Sequence, residues 1–254
     1  MCALPVLVGF CIPFLVLVAN AWHHLADALE QGFWQAAVNS IVLAAITAVF
    51  AVALGVLLAY ARRVAANGFT RPAVKLASIG YALPGAVLAL GLLIPLAAFD
   101  NWLDALSRSL FGWPIGLLLS GSLATLVLAY SVRLLAVAQG TVEAGLEKIS
   151  PNLDAAARTL GETAVSSLGR VHLPLLLPAL ATAALLVFVD AMKELPATLL
   201  LRPFGFETLS THVFALAALE QVEAASVGAV AVVLVGLIPV LLLHRAIADG
   251  RAGG

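Results

Sequence analysis

Asp190, Lys193 and Glu194 come nearest to chemistry in this chain: acid, base and acid within five positions, at the end of the apolar run Leu173 to Val189. Asp190 and Lys193, three apart, can pair on one helix face, whereas Asp190 and Glu194, four apart, repel mildly. Charges at the edge of so apolar a run are costly and tend to face protein or water. The three are therefore candidate gate or pathway residues, with plain interfacial anchoring as the alternative. No other residues form a catalytic set: the chain has no GxxxxGK[ST] phosphate loop, no HExxH helix and no Ser/His/Asp arrangement on facing helices. It is not expected to hydrolyse ATP, to be an enzyme or to carry a cofactor. His23 and His24 are adjacent, His172, His212 and His244 are isolated, and Cys2 and Cys11 lie nine apart. None shows metal-ligand spacing, so no metal site is expected.

The surroundings of these residues are a bilayer. With 63% apolar and 11% charged residues over 254 positions and a mean hydropathy of +1.08, the apolar surface far exceeds what one soluble core can bury. Six uncharged stretches are long enough to cross about 30 Å of hydrocarbon: Ala3 to Trp22, Ala36 to Ala61, Leu76 to Phe99, Pro114 to Val132, Leu173 to Val189 (through 195 with its charged end), and Ala224 to Leu243. The expected fold is a single all-α domain of six transmembrane helices over 1–254, with a long polar loop over 139–172. No secretory signal peptide is expected, because no basic residue precedes Arg62. Arg62, Arg63, Arg71, Lys75, Lys148, Arg158, Arg170, Arg245 and Arg251 fall on one side, with Arg133 closing the fourth span there, against Arg108, Lys193 and Arg202 opposite. That excess places the 139–172 loop and both termini in the cytoplasm.

Two spans carry unusual backbone chemistry. Gly80, Gly85, Gly91, Pro84 and Pro95 in the third, and Gly116, Ser120, Gly121, Ser122 and Thr125 in the fourth, permit close helix approach and kinks. Tyr81, Pro84 and Gly85 join the pathway candidates, because a helix broken there would line a cavity; simple helix packing is the other reading. The segment Pro196 to Glu223 mixes Leu199 to Leu201 with Arg202, Pro203, Gly205 and Glu207. It reads as an extracytoplasmic re-entrant or docking segment.

Leu153 to Pro174 is the polar interruption. Ser150 can cap a helix that Pro151 begins, Asp154 sits near its positive end, Ala155, Ala156 and Ala157 favour it, Arg158 suits its last turn and Gly161 ends it. A second short helix before Pro174 completes an elbow with three alanines along one side, a surface suited to being pressed into another protein.

The spacing Ala155-Ala156-Ala157, Gly161, Val171, Leu173, Pro174 resembles the coupling-loop motif of ABC importer permeases: Glu-Ala-Ala, three residues, Gly, nine residues, an aliphatic residue, one residue, Leu-Pro. The motif glutamate falls on Ala155, and the nearby acid, Asp154, is one position early, about 100° around the helix. Tyr81 to Gly91, Glu143 to Gly161 and Phe188 to Ala217 are similar to the ferric-iron branch of that family. The resemblance implies the transmembrane domain of a type I importer in the bacterial inner membrane. It also implies ferric-iron cargo, cytoplasmic ABC ATPase subunits docked on Asp154, Ala155, Ala156, Ala157, Arg158, Gly161, Leu173 and Pro174, and an extracytoplasmic binding protein that holds the metal. A second permease half or a homodimer partner is implied too, since members of that branch carry two such halves in one chain and this sequence resembles the second. No nucleic-acid partner is expected. Thiamine, phosphonate, polyamine and sulfate are alternative cargoes. A secondary transporter or intramembrane enzyme would need inverted repeats with paired intramembrane charges, or a catalytic pair at matching depth, and neither is evident.

Overall fold

A computed structural model describes residues 3–28, 32–65 and 70–252, which form helices and their connections with no strand among them. α1 (Ala3–Val6) runs through a π-helical turn into α2 (Ile12–Ala28), followed by α3 (Trp34–Val64), α4 (Thr70–Ile79), α5 (Gly85–Phe111) and α6 (Leu123–Glu147). Then come α7 (Pro151–Thr159), α8 (Ala164–Ser167), α9 (Leu173–Met192), α10 (Pro196–Leu201), α11 (Leu209–Ala218) and α12 (Val222–Ala252). Five stretches among the described residues are long and apolar enough to cross a membrane: Leu4–Ala26, Trp34–Val64, Gly85–Phe111, Leu123–Glu147 and Ala164–Met192. The sixth expected run lies on α12, whose apolar part Val222–Leu237 is described.

α3, α6 and α9 pack against one another as the core, while α2 lies along α12. Small residues make that core possible. Ala36, Ala44 and Ala51 of α3, Ala129 and Ala138 of α6 and Ala183 of α9 are all essentially inaccessible. Lipid offers no hydrophobic drive for helices to associate, so small side chains that let backbones approach supply the attraction instead. Outward-facing residues such as Val49, Phe50, Ile94 and Leu177 are exposed and apolar, as a lipid-facing surface requires.

Several expected boundaries move. The third span is not one helix: α4 passes through a 3-10 turn (Gly80–Ala82) and breaks before α5, which continues to Phe111. The fourth does not run from Pro114 to Val132. α6 begins at Leu123, where the Ser122 hydroxyl accepts from the Thr125 amide at 3.3 Å, and residues 113–122 are irregular. Two carboxylates on α5 account for the shift. Asp100 accepts from the Leu119 and Ser120 amides at 3.1 and 2.7 Å, and Asp104 from Ile115 and Gly116 at 2.8 and 2.9 Å. Backbone donors satisfied by side chains no longer require a helix. The polar loop is shorter than 139–172 because α6 extends to Glu147, and the fifth span is helical from Ala164. Arg133 is displaced with its helix: it lies ten positions into α6, about 15 Å from its start at 1.5 Å per residue. It is a mid-span cation and does not close a span.

Candidate functional site

Two polar centres emerge, one at the loop after α6 and one where the third span breaks.

The first is the elbow. Ser150 caps α7 by accepting from the Asn152 amide at 3.3 Å, with Pro151 in the first turn. The helix ends as the sequence requires: Gly161 has φ of +81°, its amide donates to Arg158 O at 3.1 Å, and the next amide, Glu162, donates to Ala157 O at 3.0 Å. This double closure is the Schellman arrangement that favours glycine. After Thr163 caps α8, a π-helical turn (Leu168–His172) carries the chain into α9. The three alanines do not share one side. Ala157 is buried, whereas Ala155 and Ala156 are exposed, because consecutive helix positions turn by about 100°. Leu160 and Val165 are 83% and 81% exposed, an apolar tip that no other described residue covers. Leu173 packs beside the cluster of Val56, Val142, Leu146 and Leu176, and Pro174 is exposed in the first turn of α9.

Asp154 faces inward. Its Oδ2 accepts from Arg63 Nε and Nη2 at 2.9 and 2.7 Å, and its Oδ1 lies 2.9 Å from Nε2 of His172, close enough to pair but off the alignment of a hydrogen bond. His172 is fully buried, its Nδ1 3.0 Å from Ser167 O, its ring edge-on to Tyr60 with centroids 5.1 Å apart. Tyr60 in turn donates to Ala164 O at 2.8 Å. Glu162 accepts from the Ser166 hydroxyl and from Arg170 at 2.9 Å. The Ser166 bond first, then Arg170, holds its carboxyl below the ordinary carboxylate value. A cavity of about 370 Å³ opens between α3 and the elbow, lined by Tyr60, Arg63, Asp154, Arg158, Glu162 and Ser167 among others.

The second centre joins the break in the third span to α6 and α10. Glu194, 8% exposed, forms an ion pair with Arg133. It also accepts from the Ala197 amide through Oε1 at 3.3 Å, and its carbonyl accepts from Thr198 at 2.7 Å and Tyr130 at 3.3 Å. A Cβ on Gly85 would collide with Arg133 Nη1 and Glu194 Oε1, and one on Gly80 with the Val132 carbonyl. The glycines flanking the break are what allow it to sit against the middle of α6. Tyr81 and Pro84 are exposed at the same place. Asp190 and Lys193 pair with each other at 2.8 Å, as their spacing predicts, and neither enters the Glu194 network. Among the described residues no group of three or more His, Cys, Asp or Glu is arranged to hold a metal ion.

The sequence reading singled out Asp154, Gly161, Gly85 and Glu194 but missed Tyr60, Arg63, His172, Arg133 and Glu162. Arg133 carried a usable signal, a lone arginine in an apolar run, hidden by the misplaced fourth span. Arg63 and His172 carried none, being 91 and 18 positions from Asp154.

Comparison with known proteins agrees with this architecture. Residues 51–252 match the family described as binding-protein-dependent transport system inner membrane component. The chain is similar to the Fe(3+)-transport system permease protein FbpB 2 of Haemophilus influenzae, 29% identical over 239 residues, 92% of this chain but 44% of that protein. It is similar to the putative 2-aminoethylphosphonate transport system permease protein PhnV of Salmonella typhimurium, 28% identical over 87% of this chain and 77% of that one. A probable molybdenum ABC transporter permease protein of Haloferax volcanii is 33% identical over 86% of this chain and 77% of that one. This chain thus spans less than half of the iron permease and about three quarters of the other two. Among solved structures, a bacterial alginate ABC transporter in complex with alginate pentasaccharide-bound periplasmic protein shares the fold with a TM-score of 0.75 at 16% identity, covering 94% of this chain and 88% of that one. The MetNI methionine ABC transporter in an inward-facing conformation gives 0.58 at 19% identity, covering 87% and 97%. With the family model covering most of a chain that is helical throughout its described spans, this protein belongs to the inner-membrane components of binding-protein-dependent transport systems, the multi-pass permeases of ABC importers.

Proposed function

We propose that the chain forms one transmembrane half of an ATP-driven importer whose elbow, α7 through α8, is the docking surface for a cytoplasmic ATPase. The observation that carries this is the Schellman-closed elbow with Leu160 and Val165 exposed at its tip: an ordered apolar projection, too polar around its base for lipid, needs a protein groove. ATP-driven closure of the partner pushes on this projection and rocks the core helices between inward-facing and outward-facing arrangements. A second permease half completes the path, and an extracytoplasmic binding protein delivers cargo to the far side. Phe204, fully exposed on the turn between α10 and α11 and braced by the Arg202–Glu207 pair, is suited to meet that protein. The Arg133–Glu194 pair, with Tyr81, Pro84 and Gly85 at the break, is the gate along the path; Asp190 and Lys193 lie at its margin. Both termini lie in the cytoplasm, so reporter fusions after Leu153 and Gly254 read cytoplasm and one after Asp104 reads outside.

Ferric iron is the cargo this reading favours, on the likeness to the iron permease across 92% of the chain. A phosphonate is the second reading, favoured by the likeness to the 2-aminoethylphosphonate permease over 87% of this chain and 77% of that one. Deleting the gene and measuring growth separates them. Loss of growth on ferric iron as sole iron source, with growth on 2-aminoethylphosphonate intact, supports the first; the opposite pattern supports the second.

A further inference from the structure

We infer that Asp154 is a positioning residue: bonded to Arg63 while Tyr60 holds the second arm, it fastens the elbow to the last turn of α3, so that a push on the elbow is delivered along α3 into the core. The inference rests on reading the elbow as the ATPase docking surface, and it names the link by which that surface reaches the membrane.

One guanidinium gathers three helix ends. Arg63, in the last turn of α3, holds Asp154 of α7 through Nε and Nη2 and donates to the carbonyls of Leu146 at 2.5 Å and Ile149 at 2.9 Å. Those carbonyls belong to the last turn of α6 and its exit, where backbone acceptors lack helical partners. One turn earlier on α3, Tyr60 reaches past Gly161 to bond Ala164 O on α8 and lies against the His172 ring at the entry to α9. The other oxygen of Asp154 faces that same histidine. α3 therefore grips the elbow before and after its glycine turn, through residues three apart on one helix face.

Around the turn itself the space is open: beyond Gly161 and its two chain neighbours, no heavy atom of the described residues lies within 4 Å of where a Gly161 Cβ would stand. Helices of nine and four residues do not hold their shape unaided in water. Without the grip on both arms, a push would fold the elbow at Gly161 and go no further. With it, the two arms move as one piece with α3, which spans 31 residues and packs against both α6 and α9. The shift of the acid by one position relative to the coupling motif has a consequence here: a carboxylate at 155, an exposed position, would face away from Arg63, whereas one at 154 faces it.

The test is hydrogen–deuterium exchange on the whole transporter with its ATPase, in nanodiscs, with and without a non-hydrolysable ATP analogue. In the parent, the analogue changes exchange in two segments together, the elbow (153–165) and the end of α3 (59–64). In Asp154→Asn and in Arg63→Gln the elbow still responds while the change at 59–64 falls at least threefold, and combining the two adds little, since both break one link. Tyr60→Phe, which removes a single hydroxyl, lowers the α3 response about twofold. An α3 response that stays at the parental size in Asp154→Asn, or is absent in the parent while the elbow responds, overturns the inference and leaves the docking surface standing. An elbow that never responds overturns the docking reading itself. If the Asp154→Asn complex cannot be isolated, Arg63→Gln, which removes the same link from the other side, decides instead: a reduced α3 response supports the link and a parental one refutes it.

Discussion

Gly85 and Glu194 stand so close that the carboxylate occupies the space a side chain at position 85 would need, with the Arg133 guanidinium closing the other side. The broken helix, the middle of α6 and the start of α10 meet at that point, and the ion pair fills the gap between them.

Gly85→Ala puts a methyl group into this junction. Either the Arg133–Glu194 pair separates or α5 withdraws from α6, an overpacking cost of about 1–3 kcal/mol. The purified variant is expected to aggregate at a lower temperature than the parent, whereas Gly91→Ala, where an added Cβ meets nothing within 4 Å, leaves the midpoint unchanged. Equal midpoints for both substitutions would remove the junction from the account.

The ion pair itself makes a second prediction. Glu194→Ala strands a mid-span arginine, and removing one partner of a buried pair costs about 3–5 kcal/mol. Replacing both residues by glutamine removes the stranded charge and recovers most of the stability. If the pair gates the path, this double variant inserts and assembles normally yet transports poorly or leaks cargo without ATP, measured in proteoliposomes. Full, tightly ATP-dependent uptake by the double variant would make the pair a packing element alone.

Glu162 gives the elbow a pH dependence whose sign is fixed. Its carboxyl titrates below the usual 4.5 because Ser166 and Arg170 favour the ionised form. The stabilisation is therefore complete above the usual value and is lost as pH falls through the lowered one. Proteolysis of the 162–170 segment is expected to accelerate as pH falls through that lowered value, and Glu162→Gln to be cut readily with little dependence on pH. A parent whose cleavage rises instead on the alkaline side would contradict the assignment.

Local signals carried the elbow through to the structure. Ser150, Pro151 and Gly161 are caps, and caps act within a few residues, so the sequence displays them directly. The apolar runs were equally legible for α2, α3 and α9. What failed was the start of α6, because the decision lay in Asp100 and Asp104, which bind amides 11 to 20 positions away. Apolarity alone cannot separate an irregular segment held by carboxylates of a neighbouring helix from a continuing helix. The same limit hid Arg63 and His172, whose approach to Asp154 depends on how α3, α7 and α9 pack. Arg133 went unread for a derived reason: with α6 started nine residues early, a mid-span charge looked like a membrane-edge one.

The claim that the elbow couples ATP hydrolysis to transport is most directly tested by Gly161→Val in the reconstituted transporter. At φ of +81° a β-branched residue is strained by about 1–2 kcal/mol or more, while the surrounding space is open, so the chain should insert and fold but present a distorted elbow. Ala155→Glu, at an exposed position already facing away from the core, should assemble as well as the parent. The measurement is ATP hydrolysis by the complex in response to its loaded binding protein. The account predicts that this stimulation is lost in Gly161→Val and kept in Ala155→Glu; parental stimulation in Gly161→Val together with failed assembly in Ala155→Glu would contradict it.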